Sequence, residues 1–541
     1  MRHSAAVIFT LIATNPTCWP SVNAEQKTAE VKPTAAVASD AAEPDVSDAG
    51  SQSEPTQAME LAEWIDFSFQ KQWDAEHLAA PAIVDDAVFL RRLYLDLLGT
   101  IPSVGQAREF LDSGDEFKRG RLVDELLTDR RMAQNFGRVW RRVMVPTGSV
   151  NEPMGAGLEP WLTEQFAENV PYDVFARTLL TVSSQDATAD GAGNSASALM
   201  FYQAAGGSPE AAADSVTRVF LGVRLGCAKC HDHPFADWKQ ADFWGMAAFF
   251  SGVQNGSVAD TGRARIRPEG SDQEYLGRFL WSEDEARIPG GRDAREVLAE
   301  WLTSPENPNF AATAVNRVWQ HLCGRTLAGQ VDDLDEVAAE ERAIVLDEFG
   351  ERFVSLGYDL RYLIAGICKS RVYQRTTTAP ASGDAAVAEV RPLKTLSPEQ
   401  VFDCLEQALM LPVGIDDNAA RYNGQRASMV QRLNEAFSDS PEEFSSGIPQ
   451  ALMMMNGAVT SDATNLDRSR TLRAVADAPF LAEEQKLETL FFAALTRKPT
   501  DRERGVLLKH LQGAADPAEK KQVLADIFWA LLNSPEFVLN R

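Results

Sequence analysis

The 541-residue chain is short of positive charge: 52 lysines and arginines stand against 78 acidic residues, leaving a formal net charge of −26. A surface of that sign repels phosphate backbones and anionic lipid head groups at long range, which argues against nucleic acid as a partner. Long apolar runs are missing too. None reaches the length of a membrane-spanning helix, so no transmembrane segment is expected in the mature chain. There is no serine-triad elbow, P-loop or dinucleotide fingerprint to support those chemistries, and no internal repeat. Cysteine and histidine are scarce, at six each, and scarcity makes their distribution informative.

Two of each fall within the stretch GCAKCHDHPF, Gly226 to Phe235. Cys227, Cys230 and His231 have the Cys-x-x-Cys-His spacing that lets two thiols form thioethers with one haem while the next imidazole reaches the iron. Composition alone makes a chance occurrence on the order of one in a thousand. Other chemistry uses the same atoms. Zinc would take Cys227, Cys230 and His233 with a remote fourth ligand such as His321, although the second pair of a zinc finger is missing. A Cys227–Cys230 disulfide suits an oxidising compartment, with a gap better matched to redox exchange than to bracing. His231 and His233, with Asp232 and Asp237 as spare carboxylates, resemble the alternating imidazoles of some metallohydrolases. The candidate cofactor-binding residues are therefore Cys227, Cys230 and His231, and the candidate metal ligands His231, His233 and His321. No catalytic residue is assigned.

A sixth haem ligand would come from His321 or Met246, each with a structural alternative: a last-turn histidine on the helix dipole, and core filler beside Phe243, Phe249 and Phe250. The methionines Met453 to Met455 read as core. Asp237 is expected either to support a ligating histidine or to cap a helix starting near Trp238 with Gln240. The acidic run Asp332, Asp333, Asp335 and Glu336 lacks the spacing of a calcium loop and reads as solvated.

Hydrophobic residues make up 45% and charged residues 24% of a chain too long for one ordinary core. Arg2 and His3, the apolar run Ala5 to Ala13 and the small residues of Val22 to Ala24 read as an export signal over residues 1–24, giving a periplasmic or cell-surface protein. Residues 25–58, rich in Ala, Ser, Pro and acid, read as a disordered tether. Helical spacing starts at Leu61, Trp64 and Ile65, and the fold class is mainly α, in two helical domains over 59–254 and 292–541. The Gly- and Arg-rich connection 255–291 between them is the expected place for short strands. A loop over 376–392 interrupts the second domain. Capping pairs are expected at Ser103 with Gln106, Ser397 with Gln400 and Thr500 with Glu503, and a helix stop at Leu98 and Gly99.

The stretch VTRVFLGVRLGCAKCHDHPFADWKQADFWGMAAFF, Val216 to Phe250, resembles the signature of a cytochrome-c-like planctomycete domain of unknown function, found in exported bacterial proteins. The resemblance extends through RRLYLDLLGTIPS and PWLTEQFAENVPYDVFARTLLT upstream. Downstream, LAEWLTSPENPNFAATAVNRVWQHLCGRTL, FVSLGYDLRYLIAGICKSRVYQR, RPLKTLSPEQ and WALLNSPEFVLNR resemble the planctomycete-specific domain that habitually follows it. The resemblance implies haem on Cys227, Cys230 and His231 and a redox or electron-transfer role with an unknown redox or cell-surface protein partner. It departs at Leu322 and Cys323, where many relatives carry a histidine or aromatic residue, which puts the environment of His321 in question. The competing class is a zinc- or disulfide-stabilised cell-surface interaction protein linked to glycan processing.

Overall fold

The computed structural model describes residues 54–145, 152–189, 193–233, 236–334, 343–377, 391–410, 426–428, 430–432, 465–466 and 469–541. The expected signal and most of the tether lie outside these residues, as do Met453 to Met455. The chain is mainly helical. Its first helices are α1 (Glu54–Ala75), α2 (Asp86–Leu97), α3 (Val104–Asp112), α4 (Lys118–Leu127), α5 (Arg130–Met144), α6 (Glu152–Ala167) and α7 (Tyr172–Thr181). Then follow α8 (Ser184–Ala189), α9 (Asn194–Ala205), α10 (Pro209–Val216), α11 (Gln240–Ala248), α12 (Ala294–Leu302), α13 (Pro308–Cys323), α14 (Glu348–Ser355) and α15 (Leu360–Lys369). Among the described residues there follow α16 (Pro398–Leu409), α17 (Arg470–Asp477), α18 (Glu483–Leu495), α19 (Asp501–Gln512) and α20 (Pro517–Leu532).

Local sequence explains many of the boundaries. The three expected capping boxes all form, at the starts of α3, α16 and α19, each satisfying helix N–H groups that have no partner within the helix. Helix α2 stops at Leu98, and Gly99 follows at φ +72, a conformation that disfavours any side chain. Helix α1 begins at Glu54, inside the stretch whose composition reads as tether. Its Ala58, Leu61 and Ile65 are buried, and a Cβ on Gly366 of α15 would stand only 2.5 Å from Leu61, so the two helices meet closely. That packing orders residues that composition alone leaves loose.

Short strands form where helical spacing lapses. β1 (Val253–Gln254) pairs with β2 (Ser257–Val258), and β3 (Arg265–Ile266) with β4 (Tyr275–Leu276), both antiparallel. β5 (Lys394–Thr395) and β6 (Leu539–Asn540) pair with Lys394 opposite Asn540.

The division of the core does not follow the expected domain boundary. One continuous apolar cluster runs from Ala58 to Tyr373, through both sides of the 255–291 connection, with Phe492 of α18 added from beyond it. A second cluster takes Leu396 to Phe537, with Leu95 and Ile101 inserted from the first. Thus the packing break lies after Tyr373, and α2 supplies side chains to both cores.

Candidate functional site

The Cys227 to His231 turn is reached by a sharply constrained approach. After α10 a wide helical turn, Thr217–Leu221, ends at Gly222 with φ +64, where a Cβ would meet the Val331 carbonyl at 2.7 Å. A four-residue 3₁₀ turn, Gly226–Lys229, then carries the motif. Its Ala228 is wholly buried while both cysteines are exposed free thiols. The turn is therefore pinned by its middle and presents sulfur at both ends. Beneath it lies Asp214, whose carboxyl is raised from its ordinary value by burial even though it accepts the Gly226 N–H.

The two histidines that follow are set in opposite ways. His231 is exposed, and its Nδ1 stands 2.7 Å from the Asp232 carbonyl. A carbonyl only accepts, so Nδ1 carries the proton and the neutral ring keeps its lone pair on Nε2. In His233 the Nδ1 accepts the Ala236 N–H at 2.8 Å, which puts the proton of the neutral ring on Nε2. The His233 N–H donates to the Trp238 carbonyl at 2.7 Å, closing the loop that holds both rings.

Asp232, not Asp237, caps the next helix. Helix α11 starts at Gln240 rather than near Trp238, and the Gln240 N–H donates to Asp232 Oδ1 at 2.8 Å. Asp237 is exposed. Asp242 accepts the Lys239 N–H at 2.8 Å and pairs with Arg278.

The remote candidates are not brought to this turn. Met246 is wholly buried within α11. His321 closes α13, with its ring edge-on to Phe136 at 5.2 Å and its Nε2 donating to the Asp96 carbonyl at 3.0 Å. Among the described residues, no three His, Cys, Asp or Glu side chains are grouped so as to hold a metal ion. The acidic run also differs from expectation. Asp332 is not a solvated group but the counter-ion of Arg317 at 2.6 Å, with Arg218 at 3.5 Å and Arg224 at 3.9 Å. Asp335 and Glu336 lie outside the described residues.

A second polar cluster, absent from the sequence reading, centres on Asp96 of α2. Its carboxylate is almost fully buried and accepts four bonds: Lys394 at 2.6 Å and Asn540 at 2.8 Å on Oδ1, Tyr373 at 2.8 Å and Arg391 at 2.9 Å on Oδ2. Its carbonyl accepts Asn135 and His321. Lys394 also donates to the His321 carbonyl at 2.7 Å, and Arg391 to that of Leu322. The β5–β6 register puts Lys394 and Asn540 side by side, so both reach the same oxygen. Burial would raise the Asp96 carboxyl, but Arg391 and Lys394 overcome it and hold it at about 2. Burial, only partly offset by Asp96, lowers Lys394 to about 8; burial and then the Lys394 charge lower His321 to about 4. Cys323 is pushed up to about 12 by burial.

Two family models match the chain. Residues 64–255 match PSCyt2, described as a protein of unknown function (DUF1549), and residues 294–413 match PSD1, described as a protein of unknown function (DUF1553). No curated protein and no solved structure matches the chain significantly. The Cys227 to His231 turn lies in the PSCyt2 segment. The Asp96 cluster instead joins the two: PSCyt2 supplies Asp96 and Asn135, and PSD1 supplies His321, Tyr373, Arg391 and Lys394. PSD1 also braces the approach to the turn, through Asp332 on the arginines and the Leu334 N–H on the Gly222 carbonyl at 2.8 Å.

The clusters differ in what they leave available. Around Asp96 the carboxylate is saturated with donors, which suits holding the fold. The turn offers two free thiols and an imidazole lone pair, which suits covalent attachment and metal ligation. The signal for the hub was a lone Asp96 inside the apolar run Leu93 to Leu98, since a buried charge needs partners.

Proposed function

We propose that Cys227, Cys230 and His231 attach one haem covalently and that the protein has a redox or electron-transfer role outside the cytoplasm. The observation that carries this reading is the bond from His231 Nδ1 to the Asp232 carbonyl, which leaves Nε2 as the free lone pair. A ligating imidazole commits its other nitrogen in this way. The donor set fits the group, with two exposed thiols one short turn apart and the imidazole directly after the second. Each thioether needs one S–H to add across one vinyl group, sulfur bonding to one carbon and the proton going to the other, with no net oxidation. Haem, when bound, supplies one-electron chemistry at its iron. The chain's own part is to hold the thiols and the imidazole at the surface, where a redox or cell-surface protein partner has access.

Export belongs to the same reading, because it rests on the N-terminal apolar segment and suits attachment outside the cytoplasm. Zinc gains less support: His233, the third zinc ligand of that alternative, holds its proton on the nitrogen a metal would take in this loop. The test is expression with haem-attachment machinery followed by pyridine haemochrome spectroscopy and metal analysis. Wild type should show a covalent haem band, and the Cys227→Ala, Cys230→Ala double variant none. His231→Ala should keep covalent haem with a spectrum shifted towards weakly ligated iron. A wild-type protein with zinc and no Soret band contradicts the reading.

A further inference from the structure

A four-residue 3₁₀ turn has too few internal hydrogen bonds to hold its own shape, and its last carbonyls have no partner within it. Something else must fix the relative positions of Cys227, Cys230 and His231. The first residue of α11 does so from three directions. The Gln240 side-chain amide donates to the Lys229 carbonyl at 3.1 Å and to the Cys230 carbonyl at 3.2 Å, while its main-chain N–H donates to Asp232 Oδ1 at 2.8 Å. Trp244, one helical turn on and on the same face, adds its Nε1–H to the Lys229 carbonyl at 3.2 Å.

We propose that Gln240 is the positioning residue of the attachment turn: it clamps the carbonyls on either side of the second thiol and so sets where Cys230 and His231 stand relative to Cys227. This rests on the haem reading for its purpose but not for its geometry. The bonds divide usefully between main chain and side chain. The cap on α11 uses the Gln240 main-chain N–H and the Asp242 carboxylate, so losing the side-chain amide frees the turn without uncapping the helix. Ala228 stays buried and keeps the turn attached. The effect of losing Gln240 is therefore concentrated on Cys230 and His231, with Cys227 affected less.

The experiment uses the full chain without haem, in reduced form. Alkylation by iodoacetamide, followed site by site by mass spectrometry, should speed up about two- to ten-fold at Cys230 in Gln240→Ala, the range expected for a lost hydrogen bond. Cys227 should change less, and the thermal midpoint should stay near that of wild type. Gln240→Met, neutral and of the same length but without the amide donor, should accelerate Cys230 as much as alanine does. Unchanged Cys230 reactivity in both Gln240→Ala and Gln240→Met overturns the proposal, as does equal acceleration at both cysteines. If these reactivities behave as expected but wild type never takes up haem, the clamp stands and the haem reading fails. If haem attaches, Gln240→Ala should accumulate product joined through Cys227 alone.

Discussion

The Cys227 turn and the Asp96 hub are both small polar clusters resting on backbone carbonyls, yet they are built for opposite ends. At the turn the carbonyls are spent, by Gln240, Trp244 and His231, while both thiols and the His231 Nε2 remain open. At the hub it is the side chains that are spent, with four donors on one buried carboxylate. A polar group whose bonds are all satisfied inside the protein stabilises one arrangement, whereas chemistry needs a group left with capacity to bond. The difference also separates where stability and function respond to mutation.

The largest expected effect comes from the hub. Asp96→Ala leaves Arg391 and Lys394 buried without their counter-charge and should destabilise the protein by about 3–5 kcal/mol, read from chemical denaturation. Because α2 feeds both apolar cores, the loss should appear in each of them. A loss confined to the second core would show that the hub does not join them.

Next comes pH. The folded His321 ring stays neutral down to about pH 4, whereas an unfolded histidine protonates near 6.5. The unfolded chain binds the extra proton across that interval, so stability should fall as pH drops from 6.5 to 4. Asp96 adds its own loss between 3.8 and about 2, as protonation of its carboxyl becomes possible first in the unfolded chain. His321→Gln should flatten the 6.5 to 4 segment of a denaturation–pH profile. A slope unchanged by that substitution would place the titrating group elsewhere.

A local effect is smaller. Ser397→Ala removes the hydroxyl that accepts the Gln400 N–H at the start of α16 and should cost about 1 kcal/mol. Smallest of all, replacing Cys227 and Cys230 by alanine in the haem-free chain should shift stability by no more than about 0.5 kcal/mol, since both side chains are exposed. A large loss there would make the turn a structural brace and erase its contrast with the hub.

How far each region was legible in the sequence follows from the range of its contacts. Ser103 with Gln106, Ser397 with Gln400 and Thr500 with Glu503 are three residues apart, so their caps are written in local spacing. The turn, too, is local: five consecutive residues carry the thiols and the imidazole. Even so, the residue that caps α11 is Asp232 and not Asp237, because the chain makes a loop through His233 and Trp238 before the helix begins. The hub was not legible in this way. Asp96 meets His321 and Asn540 across separations of 225 and 444 residues, and no periodicity encodes such a meeting. The same holds for the core, which crosses the Gly- and Arg-rich connection that composition marks as a boundary. Asp332 read as solvated because its three arginine partners lie on distant segments or in the preceding helix.

The most direct test of the account is the mass of the proteolytic peptide containing Cys227 to His231, taken from wild-type chain matured with haem-attachment machinery. This peptide should carry the mass of one haem joined through two thioethers, with an absorbance that follows the peptide. A peptide of unmodified mass, with its two thiols free or merely joined as a disulfide, would contradict it.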